Sequence, residues 1–465
     1  MNRSTERDFD QRIADWLEDD PNLAPRQTLD TVLAAFPSIP QRRTWRAPRR
    51  FRTMNTPLRL AMAAVIGVLV VGGAFYLSRS TAPSIGTPLA SPSNGPSPAT
   101  ASPSLTASAW AATADMAEAR TDFAMVLLQD GKVLAVGGQQ PGRSLASAEL
   151  YDPTTGSWTT AGTMSHARSF PTAIRLNSGK VLVAGGAGDT VGATKADLYD
   201  PATNTWTAAG DMTEIRGQHA AVLLSDGRVL VLGGNQGDQV PGTAELYDPT
   251  KGTWTATGNM TMLRASPSAT LLDDGRVLVA GGFGKDGASA ELYDPATGTW
   301  AATGSMAQAR ADGQTATRLQ DGRVLVTGDP SSAAELFDPA VGTWTSARDL
   351  SVAQPGRSAT LLTPGQTATL LADGRVLLAG GLGADGNGAT SAQIYKPGRA
   401  SGLGAGPGFW TSIEPMPKGR ISGQAVRLPD DRVLVVGGYP GTTASGFNDG
   451  AGALKSTFIY DPATP

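Results

Sequence analysis

The sequence has no cysteine and only two histidines, His166 and His219, among 465 residues. Without cysteine there is no disulfide, no thiolate nucleophile, no Fe–S cluster and no cysteine-ligated zinc. Two imidazoles are too few for an all-histidine metal site. Charge is also scarce: Asp, Glu, Lys and Arg make up 17% of the chain, and the formal net charge is −3. That balance gives no electrostatic basis for a nucleic-acid partner. Glycine (57) and proline (32) are plentiful instead, as a turn-rich all-β chain requires.

From about residue 108 one unit recurs, and Gly217–Arg264 shows it in full. An apolar run, Ala220–Leu224, is followed by Ser225-Asp226-Gly227-Arg228 and a second run, Val229–Leu232. Two such runs around Asp-Gly predict a hairpin with a tight two-residue turn. The pair Gly233-Gly234 follows, then a loop, then a third strand at Ala244–Tyr247. The turn Asp248-Pro249-Thr250-Lys251-Gly252 leads to a fourth strand opened by Thr253-Trp254-Thr255. Four short antiparallel strands make one propeller blade.

The Gly pairs stand at 137–138, 185–186, 233–234, 281–282, 380–381 and 437–438, with Thr327-Gly328 as a degenerate copy. Seven tryptophans, Trp110, Trp158, Trp206, Trp254, Trp300, Trp344 and Trp410, keep step with seven third-strand aromatics, Tyr151, Tyr199, Tyr247, Tyr293, Phe337, Tyr395 and Tyr460. A Gly pair, then Tyr, then Trp resembles the kelch repeat, over residues 108–465. The resemblance implies an all-β, seven-bladed kelch-type propeller like the central domain of galactose oxidase. Trp110 precedes any blade and Tyr460 has no Trp after it. The last blade is therefore expected to combine Ile421–Asp461 with Ala107–Met116, which closes the ring and removes open strand edges.

The residues ahead of the propeller read differently. Residues 1–57 carry two short amphipathic patterns, Phe9/Ile13/Trp16/Leu17 and Leu29/Val32/Leu33/Phe36. Seven arginines between Arg42 and Arg59 then precede Leu60–Leu77, eighteen residues without a charge. As a helix that run spans about 27 Å, close to a bilayer's hydrocarbon thickness. It begins too late for a secretory signal peptide. We expect a transmembrane helix at 58–78, with the arginines on the cytoplasmic side and the propeller outside. Residues 79–107 form a Pro/Ser/Thr-rich linker. The whole reads as a single-pass bacterial membrane protein with a monomeric propeller.

Two sets of residues are candidates for binding. The connections between second and third strands differ strongly in length, as Asp329–Ser332 and Tyr439–Ser456 show. Loops that vary on a shared scaffold usually carry specificity, and Tyr439 and Phe447 are candidates to stack on a sugar or a peptide. A MxxxR pattern also recurs, giving Arg120, Arg168, Arg216, Arg264, Arg310 and Arg420. These six could grip an anion as a cationic ring. Alternatively they pair with the third-strand acids Glu149, Asp197, Glu245, Glu291 and Glu335, and repetition in every blade favours that structural role.

Catalysis finds little support. Copper-radical oxidases resembling galactose oxidase need a cysteine-crosslinked tyrosine, which this chain cannot form. The DPxTGTW turns are only superficially similar to sialidase boxes, and no unique carboxylate pair is evident. No cofactor or metal site is expected. The reading is a membrane-tethered extracytoplasmic module that binds a protein or a glycan. A carbohydrate-active enzyme, or a transmembrane sensor signalling through residues 1–57, are the alternatives.

Overall fold

The computed structural model describes residues 108–188, 194–235, 240–283, 287–311, 314–328, 333–349, 366–383, 387–398, 406–441 and 452–464. The two amphipathic segments, the span at 58–78, the linker and Phe447 lie outside these residues. Among the described residues there is no helix, and so none long and apolar enough to cross a membrane.

Seven four-stranded antiparallel sheets are formed by the described residues. The third, for example, runs Ala220–Leu223, Val229–Leu232, Ala244–Asp248 and Thr253–Ala256 from inside to outside. Neighbouring first strands pack against one another in a closed cycle, so these strands line the axis of a seven-bladed propeller. Trp110–Ala112 pairs with Thr457–Tyr460, with Trp110 opposite Tyr460. The expected closure is therefore present, and the seventh blade takes its outer strand from residues 110–112.

The second strands explain the cohesion of the ring. Each is buried along its whole length, as in Val229–Leu232. Successive side chains of a strand point to opposite faces. Accordingly Leu230 and Leu232 enter a core shared with Val277, Val279 and Tyr293 of the next blade. Val229 and Val231 enter the core shared with Leu182 and Ala184 of the preceding one. Seven such clusters fill the seven joints. Each buried Val or Leu contributes about 1.5–3 kcal/mol.

The aromatic pairs repeat at each joint. Tyr247 and Trp254 lie opposite each other in register, their rings 5.0 Å apart and tilted by 44°. The indole N–H then donates to the preceding blade: Trp254 Nε1 to Ala209 O at 3.1 Å, Trp206 Nε1 to Ala161 O at 2.7 Å, and Trp110 Nε1 to Glu414 O at 2.8 Å. Replacing Trp254 with Phe keeps the ring stack and removes this bond. It should lower stability by about 1 kcal/mol, read as a shift in the urea midpoint with an unchanged m value.

Two details differ from the sequence-based expectation. The Asp-Gly hairpins are not two-residue turns. Gly227 N–H donates to Leu224 O and Leu224 N–H to Arg228 O, and Gly227 has φ 87° while Asp226 is not left-handed. The connection is a three-residue loop with a glycine bulge, the other common hairpin solution. In the seventh blade Asp431 fills the glycine's place, at φ 70°. The fifth blade's glycine is also shifted by one. Thr327 ends the second strand, and Gly328 takes the role of the first glycine of the pair, accepting from Arg310 Nη1.

Candidate functional site

The two faces of the ring are built differently. On one face lie the Asp-Gly hairpins and the turns before each tryptophan. They form a repeating clamp: Arg228 bonds Asp226 in its own turn and reaches Pro295 O of the next blade. Arg323 reaches Gly398 O and Arg375 reaches Pro462 O in the same way. On the opposite face lie the second-to-third connections and the segments that lead from one blade into the next.

The MxxxR arginines lie beneath that second face. All six have relative exposures of 0–2%. Arg216 shows the pattern. Its Nη1 donates to Gly233 O and Thr243 O, both at 3.0 Å, and its Nε donates to Glu245 at 3.2 Å. Arg120 spans Gly137 O and Ser147 O, and Arg420 spans Gly437 O and Ser456 O. Each of these arginines thus joins the two roots of a variable loop. The carboxylate binds the segment leading into the blade, as Glu291 does by accepting from Thr261 N and Met262 N. An anion could reach these guanidinium groups only by displacing bonds inside the protein.

The arginine backbone links blades as well. Its carbonyl accepts from the second glycine of the preceding blade, as in Gly234 N to Arg264 O at 2.9 Å and Gly438 N to Arg120 O at 2.9 Å. That glycine needs φ 98° at Gly234, and a Cβ there would stand 2.6 Å from Gly217 O. The Gly pair therefore serves close backbone approach.

The seventh blade departs from this scheme. Phe458 replaces the acid, and the Arg420 guanidinium lies over its ring at 5.0 Å. Pro417 stands where other blades offer the carboxylate an N–H, so donor and acceptor are missing together. Burial without a paired carboxylate pulls the Arg420 pKa down to about 10, opposed by Asp115.

Among the described residues, the backbone two residues after the arginine is left-handed in five blades. The residues are Asp122 (φ 52°), Phe170 (54°), Gln218 (49°), Ser266 (51°) and Ser422 (51°). None is glycine, and left-handed backbone is uncommon for such side chains. Consecutive members are joined around the axis: Phe170 N donates to Asp122 O at 2.7 Å, and Ser266 N to Gln218 O at 2.8 Å. A second set sits beside them. Thr121 bridges Gln139, Ser169 pairs with Ala187, Gly217 bridges Asn235, Ala265 bridges Phe283 and Ile421 bridges Tyr439. Equivalent positions thus hold five different residue types directly after the Gly pair.

These two sets form a collar around the axis. Tyr439 belongs to it and is half-buried, while Phe283 is 46% exposed. The sequence singled out Tyr439 from its loop but not the rest of the collar. The available signal was positional: count two past each MxxxR arginine, or one past each Gly pair. Of the two histidines, His166 Nδ1 meets Ser165 Oγ, and His219 is buried with Nε2 at 2.9 Å from Thr172 Oγ1. Burial, with the Arg216 and Arg168 charges nearby, lowers the His219 pKa to about 3. Among the described residues no group of three His, Asp or Glu is placed to hold a metal ion.

The family model for the Kelch motif matches residues 121–165 and 216–261, each a span of one blade. Two blades of the propeller therefore match the Kelch motif. The chain's fold is similar to that of a fungal alcohol oxidase of the AA5 family, solved in complex with copper. That likeness has a TM-score of 0.59 and 18% identity, over 76% of each chain, and it concerns the fold alone. No curated protein matches the sequence. The first matched span begins one residue after Arg120 and the second begins at Arg216, so the motif and the arginine scaffold share one register.

Proposed function

We propose that this chain is a membrane-tethered, extracytoplasmic propeller that binds a protein or a glycan on the collar face and catalyses no reaction. The observation that carries this reading is the contrast between the faces. One repeats the in-turn Asp–Arg pair in five blades and extends it to the next blade from Arg228, Arg323 and Arg375, whereas the other places Gln139, Ala187, Asn235, Phe283 and Tyr439 at one equivalent position. Variable side chains on a rigid repeated frame are the usual way a repeat protein acquires specificity. Anchoring through Leu60–Leu77, with the arginine cluster inside, rests on the charge asymmetry of the sequence.

Full-length protein in detergent, probed against glycan and envelope-protein panels, tests the binding face. Phe283→Ala with Tyr439→Ala should weaken binding at least tenfold, while Lys251→Ala on the opposite face should not. Equal effects would remove the collar from consideration. Protease added to intact cells or spheroplasts should cut the propeller, and full protection would reverse the topology. A carbohydrate-active enzyme is the second reading; the alcohol oxidase shares its fold and gives it no further support. A cysteine-crosslinked tyrosine is not open to this chain.

A further inference from the structure

Among the described residues, the first and third blades carry polar side-chain pairs on the collar. In the first, Gln139 Nε2 donates to Asp122 Oδ2 at 2.8 Å, and Thr121 Oγ1 donates to the same oxygen at 3.0 Å. In the third, Asn235 Nδ2 donates to Gln218 Oε1 at 3.0 Å. Between them the second blade presents Phe170, half-buried, beside the exposed small residues Ala187 and Gly188. An aromatic residue thus lies in the blade between two pairs of planar polar groups.

The conformation of Phe170 makes this more than a list of neighbours. A bulky residue at φ 54° is a true outlier. Such strain costs about 1–3 kcal/mol and tends to persist at binding sites. Glycine or asparagine would meet the backbone requirement at lower cost. The phenyl ring is therefore the costly choice at this position, and its benefit lies outside the backbone.

We propose that Phe170, flanked by Asp122–Gln139 and Gln218–Asn235, is a subsite for an uncharged, hydroxyl-rich ring, as in a neutral oligosaccharide. This rests on the reading of the collar as the binding face. The apolar C–H face of such a ring packs on an aromatic side chain, and its hydroxyls take both donors and acceptors. Each polar pair fixes the planes of its own groups. The Gln218–Asn235 bond uses one donor and one acceptor and leaves an amide N–H on Gln218 and a carbonyl lone pair on Asn235 for a ligand. The five residues include one carboxylate and no cation, which disfavours an anionic ligand. The MxxxR arginines cannot supply the missing charge, since all are buried.

The test uses full-length protein in detergent micelles with maltohexaose, cellohexaose and chitohexaose as neutral probes and hexagalacturonate as the anionic one, read by titration calorimetry. A neutral hexasaccharide should bind. Gln218→Leu and Phe170→Leu should each weaken it at least tenfold with an unchanged melting temperature or a raised one, and Tyr439→Ala should change it less than threefold. Absence of neutral-sugar binding, preference for the uronate, or binding that survives both substitutions would overturn the subsite. If an envelope protein binds and is lost with Phe283→Ala and Tyr439→Ala while no sugar binds, the subsite fails and the binding face stands. If no collar substitution alters any ligand, both fail.

Discussion

Glu245→Ala should destabilise the propeller by about 3–5 kcal/mol, the cost of leaving one member of a buried ion pair without the other. Arg216 is fully buried, and Glu245 is 1% exposed. The carboxylate meets Arg216 Nε at 3.2 Å and accepts from Thr213 N at 2.7 Å. Removing it strands the Thr213 N–H and leaves the buried guanidinium with only the half-exposed Glu214 carboxylate, 3.3 Å from Nη2, as its counter-charge. Arg216 would keep Gly233 O and Thr243 O, so the loop roots should stay joined while the leading segment loosens. Urea unfolding followed by tryptophan fluorescence measures the loss. A change under 1 kcal/mol would show that the pair adds little. The seventh blade shows the alternative, in which Phe458 and Pro417 remove acceptor and donor together.

His219 should make the propeller lose stability as pH falls, and His219→Phe should abolish that share of the loss. Burial holds the folded imidazole at a pKa of about 3, against 6.5 for an unperturbed histidine. Above 6.5 both folded and unfolded chains hold it neutral, and the group contributes no pH dependence. Between 6.5 and about 3 the unfolded chain binds a proton that the folded chain refuses, so unfolding gains. At pH 4 this amounts to about 3 kcal/mol relative to pH 7. Phenylalanine is the informative replacement because Phe123 fills the equivalent place in the first blade, where it packs near Gly437 as His219 packs near Gly185. The difference between wild type and variant at pH 4 and pH 7 isolates this one group from the carboxylates. Equal pH dependence in both proteins would place the imidazole in a wetter setting than the structure shows.

The ring was legible because its determinants are periodic. Trp110 ahead of the first blade and Tyr460 after the last specified the closing pair, and the register at 110 and 460 followed. The Gly pairs, the Tyr–Trp stacks and the buried second strands all come from residues that every blade must contain. The arginines were harder to interpret, because a sequence displays charge and conceals burial. Only the contacts of Arg216 with Gly233, Thr243 and Glu245 show it to be internal architecture. The collar was largely illegible for the opposite reason. Phe170, Gln218 and Ser266 share a backbone conformation that their side chains do not favour, so no residue preference announces it. Spacing misled at the hairpins, where Asp-Gly suggested a two-residue turn, and at Thr327-Gly328, read as a degenerate copy of the pair and offset by one.

An arginine that ties both roots of a loop makes the intervening stretch free to drift. Gly137 and Ser147 are held by one guanidinium, and so are the more widely separated Gly437 and Ser456. Insertions and deletions there need not propagate into the strands, because the anchorage is restored at the same two carbonyls. Evolution can thus alter each crest of the disc one at a time, like cassettes exchanged in a fixed chassis.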